Sequence, residues 1–221
     1  MRFMVLKKKG ELQLDETGLS WPQEEDKLFV AGEDWWHNAC LNYLGDDWEL
    51  YVNGYKQAAD ALVEHVKQIH GNQDTLVFPI VFLYRQYLEL RLKQLIRDGC
   101  QLFDQSASFP KKHELDRLLA ECRPILSKLE PPVPASDLEA VDEAIAQFCA
   151  VDPTSQAFRY PTDKEGKPSL PADLRYINLR NLAEVMERIG GFFYATAMMI
   201  SVYLEQKREM EREYRDVFGF P

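Results

Sequence analysis

An apolar stretch in the middle of the chain, residues 75–99, constrains the fold more than any other part of the sequence. A helix that is apolar around most of its circumference is normally surrounded by other helices. Pro79 lies early in the stretch, where its missing N–H costs least, and Gly99 stands at the end, where a helix can stop. The pattern predicts one long, buried central helix. Its apolar residues, which cannot all share one face, are Ile80, Val81, Phe82, Leu83, Tyr84, Tyr87, Leu88, Leu90, Leu92, Leu95 and Ile96.

A charged line crosses this apolar helix. Arg85, Glu89 and Lys93 are spaced by four residues, so they stack along one side of the helix. Two interpretations stay open. The three charges either line a cleft that binds phosphate or a carboxylate, or they form an ion network that fixes helix packing. Under the first interpretation Arg85 and Lys93 are binding residues and Glu89 is a catalytic candidate.

The segments around the central helix predict an all-α, up-and-down bundle of four to six helices. Residues 46–221 form its single core, and residues 1–45 form an N-terminal arm and packing segment with a short β-hairpin or extended arm at residues 2–15. Two helix starts carry a recognisable signal, a capping box at Ser136 and an N-cap at Asn178. The other helices are predicted over residues 46–69, 114–129 (kinked or divided at Pro124), 136–150 and 178–215.

Two further segments supply candidate site residues. His113 follows Lys111 and Lys112 near a predicted helix start, where an anion is favoured and where histidine can act as a general acid or base. Arg159 and Tyr160 lie in the longest irregular stretch, residues 151–171. They either close over a cleft as binding residues or anchor the loop, just as His113 is either a catalytic candidate or a hydrogen-bonded loop residue.

The composition excludes several classes of function. A formal charge of −10 and a pI near 5.0 disfavour a general nucleic-acid coat, because phosphate binding needs a basic surface. The chain shows no metal-site spacing and no glycine-rich phosphate loop, so we expect no metal and no cofactor. Four scattered cysteines without a CxxC pair indicate reduced thiols in a cytoplasmic protein. The apolar run at residues 189–204 is sixteen residues long, which favours a core helix over a membrane segment.

The central helix and the segment after it resemble the HEPN superfamily, helical domains named for higher eukaryotes and prokaryotes nucleotide-binding. The resemblance lies in residues 82–93, FLYRQYLELRLK, and residues 113–118, HELDRL. It implies a helical bundle of four or five helices that forms homodimers. It also implies a role in bacterial stress response, toxin–antitoxin systems or phage defence, and many such proteins are ribonucleases.

One feature of the resemblance is missing from the chain. Ribonuclease members carry an Arg four to six residues before a His, and none of the four histidines has an Arg at that distance upstream. The hypothesis we favour is therefore a non-catalytic or divergent module that acts as a homodimer with a partner protein from the same operon. The alternative is an RNA-directed ribonuclease with a non-standard site of Arg85, Glu89, His113 and Arg159.

Overall fold

The chain divides into two compact units, residues 1–45 and residues 46–221. A computed structural model describes residues 21–41, 48–109 and 113–219. In the first unit a short 3₁₀ helix, Trp35–His37, begins after Asp34, whose carboxylate accepts a hydrogen bond from the backbone N–H of Trp36 at 3.3 Å. The hairpin or arm predicted at residues 2–15 lies outside the described residues.

The second unit is a bundle of α-helices. Its described residues contain no β-strand, which confirms the prediction of an all-α fold for this part of the chain. One isolated β-bridge, between Thr162 and Pro168, lies in the loop before the last helix. The helices are α1 (Trp48–Ile69), α2 (Gln73–Leu102), α3 (Leu115–Leu126), α4 (Ala135–Val151) and α5 (Leu179–Phe218).

Helix α2 lies at the centre of this bundle and packs against α1, α3 and α5. Only residues 70–72 separate α1 from α2, and so short a connection makes two helices antiparallel neighbours. Leu88, Leu92 and Leu95 on α2 are buried, as are Tyr84 and Ile80. The prediction of a buried central helix is confirmed, and the reason is that neighbours cover α2 on several sides.

Polar contacts join α1 to α2 and α1 to α5. Arg91 of α2 is buried and donates both of its terminal nitrogens to the carboxylate of Glu49 on α1, at 2.9 and 3.0 Å. Tyr84 donates its hydroxyl to Asp60 at 2.7 Å, and Lys56 bridges Asp60 to Glu187 of α5. Burial first, and then Asp60, raise the pKa of Tyr84 well above its ordinary value, so the hydroxyl stays protonated and donates.

Gly99 lies inside α2, so the prediction that it ends the helix was wrong. The helix continues through Gly99 to Leu102. Gly99 is instead a packing position on the surface of α2. A Cβ atom built on Gly99 would stand 2.2 Å from Cγ2 of Ile125 on α3. The missing side chain therefore allows the backbone of α2 to approach α3 closely.

Two other helix starts and breaks also differ from prediction. Helix α4 begins at Ala135, and Pro134 occupies the N-cap position with a non-helical backbone. Ser136 therefore lies inside the first turn, where its hydroxyl donates to Asp137 instead of capping the helix. Pro124 lies in the last turn of α3 and does not divide that helix. The predicted cap at Asn178 is confirmed, since its side chain accepts the N–H of Asn181 at 3.0 Å.

Helix α5 has a buried face and an exposed apolar face. Met186, Ile189, Phe193 and Ile200 belong to the core, whereas the outward residues between Gly191 and Val202 are exposed. Within the described residues, no helix is both long enough and apolar enough to cross a membrane. Residues 189–204, predicted as a core helix, thus bury only one side of the helix in the core.

We expect Gly99→Ala to lower the free energy of unfolding by about 1–3 kcal/mol, because the added methyl group overpacks the contact with Ile125. Gly54→Ala is the matched control. Gly54 lies within α1 with no atom near its virtual Cβ, so the same change should raise stability by up to about 1 kcal/mol. Urea denaturation of both variants measures these differences, and equal effects at the two positions would contradict the close contact.

Candidate functional site

Arg85 lies on α2 with its side chain wholly buried. Its guanidinium donates to three backbone carbonyls that come from two different loops. Nη2 donates to His113 O at 2.7 Å and to Pro153 O at 3.3 Å, and Nε donates to Asp152 O at 3.0 Å. The Arg85 side chain therefore joins the central helix to the segment before α3 and to the segment after α4.

Two buried carboxylates balance this guanidinium. Glu89 Oε2 lies 3.5 Å from Arg85 Nη1, and Asp152 Oδ2 lies 3.6 Å from Arg85 Nε. Burial is the largest influence on the guanidinium and lowers its pKa, while the two carboxylates oppose that effect. A buried charge of this kind needs a charge partner and hydrogen bonds. Arg85 donates hydrogen bonds through Nη2 and Nε, whereas its buried Nη1 makes no hydrogen bond and has only the ion-pair contact with Glu89 Oε2.

Glu89 is the second centre of the site. Its Oε1 accepts Lys93 Nζ at 2.7 Å and His113 Nδ1 at 2.7 Å, while its side chain is 1% exposed. Burial alone would raise the pKa of this carboxyl group, but the hydrogen bonds from Lys93 and His113 outweigh burial and hold the pKa below its ordinary value of 4.5. Glu89 is therefore ionised at neutral pH.

Asp152 turns the chain at the end of α4. Its Oδ1 accepts the backbone N–H groups of Gln156 at 2.7 Å and Ala157 at 3.1 Å. An aspartate that binds N–H groups a few residues further along fixes a tight turn. The same residue thus shapes the loop and supplies a carboxylate to Arg85.

His113 is the most accessible member of this group, with a side chain that is 60% exposed. An ionised carboxylate can only accept a hydrogen bond, so the contact with Glu89 assigns a proton to Nδ1 of His113. Nε2 is then the ring nitrogen that remains for a ligand. Lys111 and Lys112 lie outside the described residues.

Arg159 and Tyr160 lie apart from these contacts. The Arg159 guanidinium stacks over the rings of Phe82 and Tyr160, at 5.5 and 5.6 Å from their centroids, and its Nε donates to Ser155 O at 2.5 Å. This residue affects Arg85 only as a nearby positive charge that lowers its pKa. The structure thus brings Arg85, Glu89, Lys93 and His113 together, and it places Arg159 and Tyr160 beside Phe82.

Sequence analysis missed Asp152 and the carbonyl groups that Arg85 binds. Asp152 precedes Pro153 directly after an apolar helix, and this Asp-Pro pair was the available signal, since it favours a turn. No sequence pattern identifies the carbonyl groups, because every residue carries one. Among the described residues, no group of three or more His, Cys, Asp or Glu side chains is arranged to hold a metal ion.

Comparisons with protein-family models, with curated proteins and with solved structures gave no match to this chain. The resemblance to the HEPN superfamily therefore stays a prediction. Function is therefore inferred from the geometry of the residues themselves.

We expect Glu89→Gln to lower the free energy of unfolding by roughly 1–3 kcal/mol, because it weakens charged hydrogen bonds in a buried group. Glu64→Gln is the matched control. Glu64 pairs with Lys67 on the exposed side of α1, where such a pair contributes little, so the loss should be much smaller than at Glu89. Chemical denaturation at pH 7 compares the two, and equal small losses would show that Glu89 is not part of a structural network.

The stability difference between the wild type and Glu89→Gln should depend on pH. Since the folded-state pKa of Glu89 lies below 4.5, its contribution is fully present above that pH and is lost as the pH falls through the folded-state value. Denaturation at a series of pH values should show a constant gap above about pH 5.5 and a narrowing gap below pH 4.5. A gap that widens in acid would show that the pKa of Glu89 is raised instead.

Proposed function

We propose that the chain is a non-catalytic helical module that acts through its contacts with other protein chains. The observation that carries this proposal is the complete burial of Arg85 among its own chain's acceptors. A catalytic or phosphate-binding arginine must present N–H groups to its ligand. Arg85 donates to three backbone carbonyls, and its remaining nitrogen, Nη1, is buried 3.5 Å from Glu89 Oε2 without contact with solvent.

The arrangement of charges supports the same conclusion. Two cations, Arg85 and Lys93, face two carboxylates, Glu89 and Asp152, so this group is neutral when His113 is neutral. A site for phosphate would need a surplus of positive charge. A neutral group that joins α2 to two loops fits a structural role, in which burial fixes the geometry of the bundle.

The resemblance to the HEPN superfamily adds a biological setting to this proposal. We infer a homodimer that works with a partner protein from the same operon, in bacterial stress response, a toxin–antitoxin system or phage defence. The formal charge of −10 supports a protein partner over a general RNA-binding role, since an acidic surface repels phosphate.

One observation favours the alternative, an RNA-directed ribonuclease. His113 is exposed, and the buried carboxylate of Glu89 holds its Nδ1, which is how an enzyme orients a general base. In that reaction Nε2 of His113 would accept the proton of the ribose 2′-hydroxyl group as its oxygen bonds to the adjacent phosphorus, while the bond to the 5′-oxygen breaks and that oxygen takes a proton from water. Glu89 would hold the imidazole ring in place, and Lys93 would keep Glu89 ionised.

An RNA-cleavage assay separates the two functions. We expect the purified chain to cleave neither single-stranded nor structured RNA above the level of His113→Ala, with or without the product of the neighbouring gene. His65→Ala is the matched control, because His65 is exposed on α1 and does not belong to the charged group around Arg85 and Glu89. Cleavage that His113→Ala abolishes and His65→Ala retains would overturn the non-catalytic proposal and establish the ribonuclease.

A further inference from the structure

The stretch of α5 from Ile189 to Leu204 contains no charged residue, yet only one side of it is buried. The other side is exposed to solvent and carries large apolar side chains. Tyr194 is 55% exposed, Met198 47% and Val202 45%. We define this outer face of α5 by its exposed residues, Gly191, Tyr194, Ala195, Met198, Ser201 and Val202.

The spacing of these residues produces one continuous stripe. Each of these residues has another member of the set three or four positions along the helix, which places them on a single side. A helix that is apolar all round is normally covered on all sides. Contiguous exposed apolar residues on an otherwise charged protein mark a contact surface.

We propose that the outer face of α5 binds the same face of a second copy of this chain, with the two helices antiparallel about a two-fold axis near residues 196 and 197. This inference rests on the proposed function, since it names one surface through which the module makes its contacts. It specifies the partner chemistry as an identical, charge-free apolar stripe.

The absence of charge is the first argument for a second copy. In a two-fold interface a residue near the axis meets its own counterpart, so any charge there would face a like charge. The outer face carries none between Arg188 and Glu205. A different protein would impose no such requirement, because its own charges could complement those of α5.

The order of small and large residues is the second argument. Gly191 and Ala195 occupy the first half of the stripe, and Met198 and Val202 occupy the second half. An antiparallel pair centred between residues 196 and 197 places each small residue opposite a large one. Gly191 then faces Val202 of the second copy, and Ala195 faces Met198 of the second copy, so both copies interdigitate in the same way.

The charges at the two ends are the third argument. The same pairing places Arg188 of each copy opposite Glu205 of the other copy, twice in the dimer. Arg188 and Glu205 are both exposed, so these charges are available to flank an apolar centre. A polar rim around an apolar centre is the usual composition of a protein interface.

The surface beside the stripe extends the apolar area. An open groove of about 900 Å³ runs between α4 and α5, and Ala195 borders both the groove and the stripe. Phe192 and Met199 line the groove from α5, and Pro132 and Val133 line it from the segment before α4. A second copy seated on the stripe therefore has further apolar surface to cover.

Sedimentation equilibrium over a concentration series tests this proposal. The wild-type chain should sediment at twice its mass of 25.7 kDa. Met198→Glu buries a charge against Ala195 of the second copy and brings the two like charges near each other at the axis, so it should weaken the dimer by about 30-fold or more. Met210→Glu is the matched control, since Met210 is 63% exposed on the same helix but outside the stripe, and this variant should remain dimeric.

A charge exchange tests the antiparallel register. Arg188→Glu and Glu205→Arg should each weaken the dimer, and the double variant should restore it, because the two positions face each other only in this pairing. Far-ultraviolet circular dichroism and thermal unfolding confirm that each variant folds.

Several outcomes would overturn the inference. A wild-type chain that stays monomeric at the highest concentration would exclude the second copy as occupant, and a dimer unaffected by Met198→Glu would place the interface elsewhere. A chain that is monomeric but binds another protein through Met198 would also overturn it. The two failures are distinguishable, because a dimer that Met198→Glu leaves intact contradicts this interface alone, whereas RNA cleavage that depends on His113 contradicts the non-catalytic function.

Discussion

A guanidinium removed from water must find acceptors for its N–H groups inside the protein, since an unpaired buried charge costs several kcal/mol. Nη2 and Nε of Arg85 meet this requirement through carbonyl groups of two loops, while Nη1 has only the carboxylate of Glu89 at 3.5 Å, without a hydrogen bond. The position of the segment before α3 and the turn after α4 both depend on that demand. Removing the guanidinium would leave at least three carbonyl groups without the donor that now satisfies them.

Glu89 extends the same constraint to the surface. It lies one turn from Arg85 and couples that buried charge to Lys93 and to the exposed ring of His113. A single carboxylate thus joins a wholly buried arginine to a largely exposed histidine. Because Glu89 joins the two, the buried Arg85 supports a structural interpretation and the exposed His113 supports a catalytic one.

The sequence allowed the central helix and the charged line on it to be predicted, because both depend on spacing within one helix. Arg85, Glu89 and Lys93 stand four residues apart, and a helix brings such residues together whatever surrounds it. Asp152 and the carbonyl of Pro153 could not be predicted in the same way. Both lie more than sixty residues from Arg85 in the sequence. Only the packing of α4 and the loop after it brings them into contact with Arg85.

Gly99 and the outer face of α5 show the same limit. A glycine near the end of an apolar helix indicates a helix stop, and only the approach of Ile125 shows that Gly99 is a packing position instead. The apolar run in α5 predicted burial, and the sequence could not reveal that the bundle covers only one side of it. In both cases the residue type was informative, but its meaning depended on which neighbour lay opposite.

We conclude that Arg85 holds two loops against α2, the segment before α3 and the turn after α4. Amide hydrogen exchange on Arg85→Lys tests it most directly, since lysine keeps the charge but lacks the planar fork of donors that reaches several acceptors. We expect amide exchange to be faster in the variant than in the wild type at residues 114–118 and 154–160, and unchanged at residues 52–62 of α1. Unchanged exchange in both loops, or an equal increase throughout the bundle, would contradict it.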